Sequence, residues 1–487
     1  MKRLLVLAAI ASMFACASPA PEPQKPAAPT EVPITSKSPE AIEHFKKGRD
    51  LLENSRLAEA AQELDQALKL DPDFVMAMVY KANTTFRPEG TTLLEQASAK
   101  AGSLSKPEQL VVAATLASRQ NDSGKAEELW KEAAAAVPTD WRLQMSLGSQ
   151  LFFAEKYGEA LDALNKAVAI NPNAGAAYNM IGYSHLLRNE SGPAVEALTK
   201  YAILAPNEPN PQDSLGEALM ADGKFADAEA AFRKAIAMSP AFAISWDGVA
   251  YTKFYAGNWA AGQEAVVQQR AAATRPVDRT AADRLGAIAT LAEGKTAEGL
   301  KRLEAIDKST DASSIDRAFT PVNRAVVLVE TGKYKDAVAD AEAALAIANG
   351  GTLPAGNSSN LRGFALAAMS AAQGRMGDAA GAERSAAALQ QASSAAPNDP
   401  GLKSDVHLAQ GMLALAKKDP KGAAAHFEMC SQQDSYCHWQ AYEVARAAGD
   451  KAAAASALAR LTKIYRRDPL ALYARSTVAR TTPKGTN

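Results

Sequence analysis

Between residues 107 and 240, apolar and polar positions alternate with a helical period, and the whole pattern returns every 34 residues. Small residues stand at Ala114, Gly148, Gly182 and Gly216, and alanines at Ala126, Ala160, Ala194 and Ala228. Large apolar residues stand at Trp130, Leu164, Leu198 and Phe232, and prolines at Pro138, Pro172, Pro206 and Pro240. Each unit predicts two antiparallel helices, whose axes approach closely only where a side chain is nearly absent. Gly148 and Ala160 let such a pair touch, while Leu164 or Phe232 fills the space between one pair and the next. The proline falls just past the second helix because it cannot continue the helical hydrogen bonding. Gly223-Lys224, Gly257-Asn258 and Gly332-Lys333 mark the turn between helices, where glycine tolerates positive φ.

The pattern extends beyond this stretch in weaker form. An earlier copy covers 41–72 (Gly48, Leu51, Ala60, Leu64, Ala67, Pro72), and a shortened one, interrupted by Pro88, runs from 75 to about 105. Decayed copies start at Trp246, Leu285, Asn323, Leu366, Leu408 and Gln440, giving about twelve helical pairs over residues 40 to about 475. This 34-residue register resembles the tetratricopeptide repeat, and the resemblance implies an all-α, right-handed α-α superhelical solenoid. The expected division is an N-terminal array over 40–276, degenerate repeats over 277–475 and a disordered tail over 476–487. The run NGGTLPAGNSSN at 349–360 is expected to form a hinge or a longer loop.

Composition agrees with closely packed helices: 47% of the 487 residues are hydrophobic but only 6% aromatic, and alanine fills the difference. The net charge of -1 gives no global attraction to nucleic acid or anionic lipid. The first residues, MKRLLVLAAIASMFAC, combine a basic start with an apolar run too short to span a bilayer, which reads as a signal peptide over 1–15. Met13-Phe14-Ala15-Cys16 resembles the lipobox of bacterial lipoproteins, and the resemblance implies acylation of Cys16 and an outer-membrane lipoprotein facing the periplasm. Ala15-Cys16-Ala17 also fits an ordinary signal-peptidase site, which would release a soluble periplasmic protein. Residues 18–39 hold seven prolines, so 16–39 is expected to be an acylated cysteine followed by an extended tether.

Candidate chemistry is sparse. ATLAEGKT (289–296) matches a loose phosphate-loop formula, but it lacks a preceding strand and its Gly294-Lys295 falls at the inter-helix turn, so no nucleotide is expected. The histidines His44, His185, His407, His426 and His438 stand singly, without metal-ligand spacing, and His185 falls at a packing position. No nucleophile with a nearby base is recognisable, so catalytic residues, cofactors and metal are all expected to be absent. Cys430 and Cys437 can form a disulfide across a turn in an oxidising compartment; alternatively Cys430 is a small buried residue like Ala67 and Ala235.

In the family this chain resembles, fixed positions of each first helix line a concave groove. Those positions here carry Asn179, Tyr183, Asp213, Glu217, Asp247, Tyr251, Phe254 and Tyr255. Amides and carboxylates can bind a peptide backbone or basic side chains, and aromatics supply apolar anchors. The expected function is therefore a non-catalytic scaffold of the cell envelope that binds protein or peptide partners, with neither nucleic acid nor nucleotide. A periplasmic module that captures small ligands or glycans is a second reading. An enzyme with a site in the C-terminal half is a third, against which stands the unbroken helical pattern there.

Overall fold

The computed structural model describes residues 30–53, 56–85, 87–395 and 400–481. Among the described residues there are 25 α-helices and one short 3-10 helix, with no strand. The first 24 helices form twelve antiparallel pairs, from Pro39–Glu53 with Leu57–Leu70 to Ser435–Ala447 with Lys451–Thr462, and each pair packs on the next as a solenoid. Cys16 and the expected signal peptide, residues 1–15, lie outside the described residues.

The small and large columns of the repeat meet directly. A Cβ built on Gly148, Gly182 or Gly216 would lie 2.6 Å from Leu164 Cγ, 2.4 Å from Leu198 Cγ and 2.7 Å from Phe232 Cδ1 respectively. Phe232 also reaches the next pair, where a Cβ on Gly248 would stand 2.5 Å from its ring. One large side chain thus closes its own pair and seals the following one. Asp122, Asn258, Asp419 and Asp450 start second helices by accepting a backbone N–H in the first turn. The preceding turn residue is left-handed whether or not it is glycine: Gly223 has φ 75°, and its counterparts Glu155 and Lys418 have 58° and 60°.

Three boundaries differ from the sequence expectation. Residues 30–38, assigned to the tether, lie against the first repeats instead. The Val32 N–H donates to Asp140 Oδ2 (2.8 Å), Thr35 N–H and Oγ1 both donate to Glu108 (2.9 Å each), and Lys37 N–H donates to Asp71 (3.0 Å). Val32 and Ile34 pack on the N-terminal core. The stretch 349–360 is mostly helix, because Ala355–Met376 starts early and leaves a connection of five residues, 350–354. The last helix, Pro469–Thr481, runs into the tail expected to be disordered over 476–487, since Val478 is buried there.

That unpaired last helix positions the candidate site. It packs against Ser435–Ala447, where Tyr473 meets Trp439 edge-on at 5.3 Å, and also against Pro276–Ala292, far back along the chain. One apolar cluster consequently extends from Met220 and Phe232 through Leu285 and Trp439 to Leu472 and Val478. The C-terminal repeats return to the middle of the array, and the link between the last two helices crosses the inner face of the central pairs.

Gly182→Leu is expected to destabilise the array by about 3 kcal/mol, because the new side chain overlaps Leu198. Gly192→Ala, with nothing within 4 Å of its new Cβ, should leave stability unchanged or slightly raised. Urea unfolding checks both, and an unchanged midpoint for Gly182→Leu would contradict this packing.

Candidate functional site

The groove positions lie on three successive first helices, Gly175–Leu187, Pro209–Ala221 and Ile244–Tyr255. The repeat sets them one above another, and three of the eight, Asp213, Glu217 and Tyr255, meet a common object: the chain's own segment Tyr465-Arg466-Arg467-Asp468. This stretch lies between helices Lys451–Thr462 and Pro469–Thr481.

Arg467 is the centre of the contact. Its Nη2 donates to Asp213 Oδ2 at 2.8 Å, its Nη1 to the Ile244 carbonyl at 3.0 Å, and its Nε to Glu217. The guanidinium also lies over the Phe232 ring, 5.6 Å from its centroid. Asp213, 3% exposed, is steadied from the other side by Ser245 Oγ, which donates to Oδ1 at 2.6 Å. Burial works against the charge on Arg467, but Glu217, Asp213 and Asp247 outweigh it and hold the guanidinium more basic than an ordinary arginine. Tyr465 inserts its ring edge-on between Phe225 (5.4 Å) and Tyr255 (5.2 Å), and the Tyr255 hydroxyl donates to the Arg466 carbonyl at 2.8 Å. The guanidinium is thus held by the carboxylates, and the carbonyl and aromatic ring by Tyr255, with Phe225 on the far side of the ring.

The remaining positions divide. Tyr183 donates to Ser214 Oγ at 3.3 Å, and burial, reinforced by Glu217, pushes its hydroxyl well above the ordinary range. Asn179 Oδ1 is buried without a hydrogen-bond partner. Tyr251 is 2% exposed and stacks beneath Tyr255, so it supports the groove from below. Phe254 does not line the groove. It fills the interior of its own helix pair, against Trp259 at 5.5 Å and over Gly262, whose absent Cβ leaves room for the ring. A rotation of about 100° between consecutive helical residues separates groove from core, and Phe254 falls on the core side.

Arg467 itself escaped sequence reasoning, which placed it among degenerate repeats. The signal was present: Arg466-Arg467 is the one Arg-Arg pair in the chain, and Asp213, Glu217 and Asp247 form a ladder that requires a cation. A second anchor was equally hidden. Cys430 and Cys437 are disulfide-bonded, and Gln433 at the tip of the loop they close reaches helix Gly175–Leu187. Its Nε2 donates to the Leu187 carbonyl and to Asn189 Oδ1, both at 3.0 Å, capping the end of that helix. Closing an eight-residue loop contributes on the order of 2.5 kcal/mol of unfolded-state entropy.

The other candidates take structural roles. Gly294-Lys295 forms the turn after Pro276–Ala292, with Lys295 paired to Glu293 at 2.9 Å. His185 does not fill a packing position like its counterparts; its ring pairs with Glu190 at 2.6 Å. Among the described residues, the one grouping of three possible metal ligands is Cys430, Asp434 and Cys437, and its two sulfurs are bonded to each other. No helix among the described residues is long and apolar enough to cross a membrane.

Asp247 supplies a pH test. Burial raises its pKa from 3.8 to about 6, against the opposing pull of Arg467 and of Gln269, whose Nε2 donates to Oδ1 at 3.2 Å. Between these values the folded chain holds more protons than the unfolded one, so the contribution of Asp247 favours folding below about pH 4 and is lost as pH rises through 6. Asp247→Asn keeps an acceptor for Gln269 and removes the titration. It should stabilise the protein at pH 7.5 by up to about 3 kcal/mol and have little effect at pH 4. Urea unfolding at both values checks this; a variant less stable than the native chain at pH 7.5 would contradict it.

A sequence model of the tetratricopeptide repeat family matches residues 45–87, 111–174, 146–209 and 214–247. No curated protein sequence matches the chain. Among solved structures, MamA is 18% identical over 33% of this chain and 93% of its own, with a TM-score of 0.31. YrrB, a tetratricopeptide repeat protein with an unusual peptide-binding site, is 16% identical over 44% of this chain and 93% of its own, with a TM-score of 0.30. A tetratricopeptide repeat protein from Parabacteroides merdae is 14% identical over 58% of this chain and 98% of its own, with a TM-score of 0.36. The matched stretches are tetratricopeptide repeats, set within an all-α helical solenoid.

Proposed function

We propose that this protein is a non-catalytic interaction scaffold of a bacterial cell envelope, binding partner proteins or peptides in the groove that carries Asp213, Glu217 and Tyr255. The observation that carries the reading is the seating of Tyr465 to Asp468: the groove holds a short non-helical segment by its guanidinium, a backbone carbonyl and an aromatic ring. Proteins built of tetratricopeptide repeats are, in general, protein-interaction scaffolds. The envelope location rests on the N-terminal pattern alone, with Lys2 and Arg3 before an apolar run that ends at Cys16. In this reading Cys16 is acylated and holds the solenoid on the periplasmic side of the outer membrane, the lipid being its sole contact with the bilayer. Neither nucleotide nor nucleic acid has a part in it.

One observation favours the second reading, capture of a small ligand by a periplasmic module. A cavity of about 450 Å3 lies beside the seated segment, walled by Ile288, Phe319, Val326 and Phe364 on one side and by Leu470 and Tyr473 on the other. Its apolar walls are interspersed with charged groups, among them Arg284, Asp405 and Asp434, a lining suited to an amphipathic small molecule.

Cross-linking in native envelopes followed by purification and mass spectrometry separates these possibilities. The groove reading expects Arg467→Ala, which removes the guanidinium that holds the segment and leaves the carboxylates in place, to capture more of a partner than the native chain. Asp213→Lys/Asp247→Lys should capture less. The same partners at the same yield from all three chains would place the binding surface elsewhere.

A further inference from the structure

The segment in the groove is held in a way that specifies what could replace it. Asp213 is a buried carboxylate and Glu217 a half-buried one, and each is compensated by the same guanidinium. Removing one partner of a buried ion pair leaves an uncompensated charge, which is far more costly than the pair is worth. A ligand that lifts Arg467 out without supplying a cation would therefore be rejected by the groove it opens. A ligand that brings its own arginine exchanges one guanidinium for another and leaves both acids satisfied throughout.

Lysine does not fit the same slot. Three directions are used at once, with Nη2 toward Asp213, Nε toward Glu217 and Nη1 toward the Ile244 carbonyl, while the plane lies over the Phe232 ring. A planar fork of five donors meets that arrangement, and a single ammonium does not. Two residues before Arg467, the Tyr465 ring occupies the aromatic slot between Phe225 and Tyr255, and the intervening carbonyl takes the Tyr255 hydroxyl. Aromatic slot, carbonyl donor and guanidinium slot together define a three-residue pattern: an aromatic residue, any residue, then arginine.

From this geometry we infer that the groove is a receptor for protein segments of the form aromatic-X-arginine, and that Tyr465-Arg466-Arg467 is a built-in ligand that keeps it closed until a partner presenting the same pattern displaces it. The inference rests on the groove reading above and names the chemistry of the partner. The built-in ligand lies on the same chain, so an outside segment competes against a high local concentration, and its apparent affinity falls with the fraction of chains whose groove is open. The partner must then be abundant, tethered nearby or multivalent to open it. Two further contacts keep the built-in ligand in place. Arg475 stands over the Tyr465 ring, 3.7 Å from its centroid, and Gln433 holds the disulfide loop on the same central repeats.

A fluorescent peptide carrying residues 463–470, KIYRRDPL, tests this on the full-length protein. The peptide should bind the Arg467→Ala chain about tenfold or more tighter than the native chain, whose groove is occupied. Adding Asp213→Asn and Glu217→Gln to that variant should abolish binding. A peptide with lysine in place of Arg467 should bind the Arg467→Ala chain about tenfold more weakly than the native peptide. Equal affinity for the native and Arg467→Ala chains, or no binding to either, overturns the inference.

If the variant does not fold, hydrogen exchange on the native chain decides. Excess peptide should speed exchange at 463–468 several-fold while helices Pro209–Ala221 and Ile244–Tyr255 stay protected; unchanged exchange at 463–468 overturns the proposal. The peptide result is independent of the envelope experiment. Unchanged partner capture there would remove the scaffold role of the groove and leave peptide selectivity intact, whereas failure of the peptide would remove the selectivity alone.

Discussion

A single guanidinium connects parts of the chain 254 positions apart, for Arg467 is buried against Asp213 and Glu217 on the inner face of the central repeats. Most contacts in a solenoid join nearest neighbours, so its stability is close to a sum over adjacent pairs. This contact is of another kind. Together with the last helix packed on Pro276–Ala292 and with Gln433 at the end of Gly175–Leu187, it turns an open array into one whose end is fastened to its middle. The arrangement follows from desolvation: buried carboxylates require a buried cation, and the nearest repeats supply none.

The same fastening decides what the groove presents. Glu217, Asp213 and Tyr255 face a segment of the chain itself, and their hydrogen bonds are already directed at a guanidinium and a carbonyl. Asp247, beside them, is raised by burial and takes only the Gln269 amide as a direct partner. The acidic ladder is therefore largely neutralised from within, and its selectivity is that of a preformed slot rather than of a diffuse negative surface.

The repeated part of the fold was legible because it is local. Gly182 over Leu198, or Gly216 beneath Phe232, are contacts made within one 34-residue unit, and the same letters recur wherever the unit recurs. What the sequence concealed is non-local or depends on a rotation of one residue about the helix axis. The proline-rich composition of 18–39 masked the strap at 30–38, whose affinity for the body lies in distant Asp71, Glu108 and Asp140. Phe254 and Tyr255 are adjacent letters, yet one fills a core and the other faces the groove, a division set by rotation about the helix axis. The groove acids followed from the family resemblance; the Arg466-Arg467 pair marked a cation, but nothing local relates it to Asp213.

The central claim is that Arg467 and Asp213 are energetically coupled, and a double-mutant cycle measures this directly. Arg467→Met, Asp213→Asn and the double variant would be compared with the native chain by urea unfolding at pH 7.5. The buried contact predicts a coupling of about 2 kcal/mol or more, the double variant being more stable than the two single losses would add up to. Additivity within about 0.5 kcal/mol would show that the two residues do not depend on each other, and would contradict the fastening of the C-terminal repeats to the central groove.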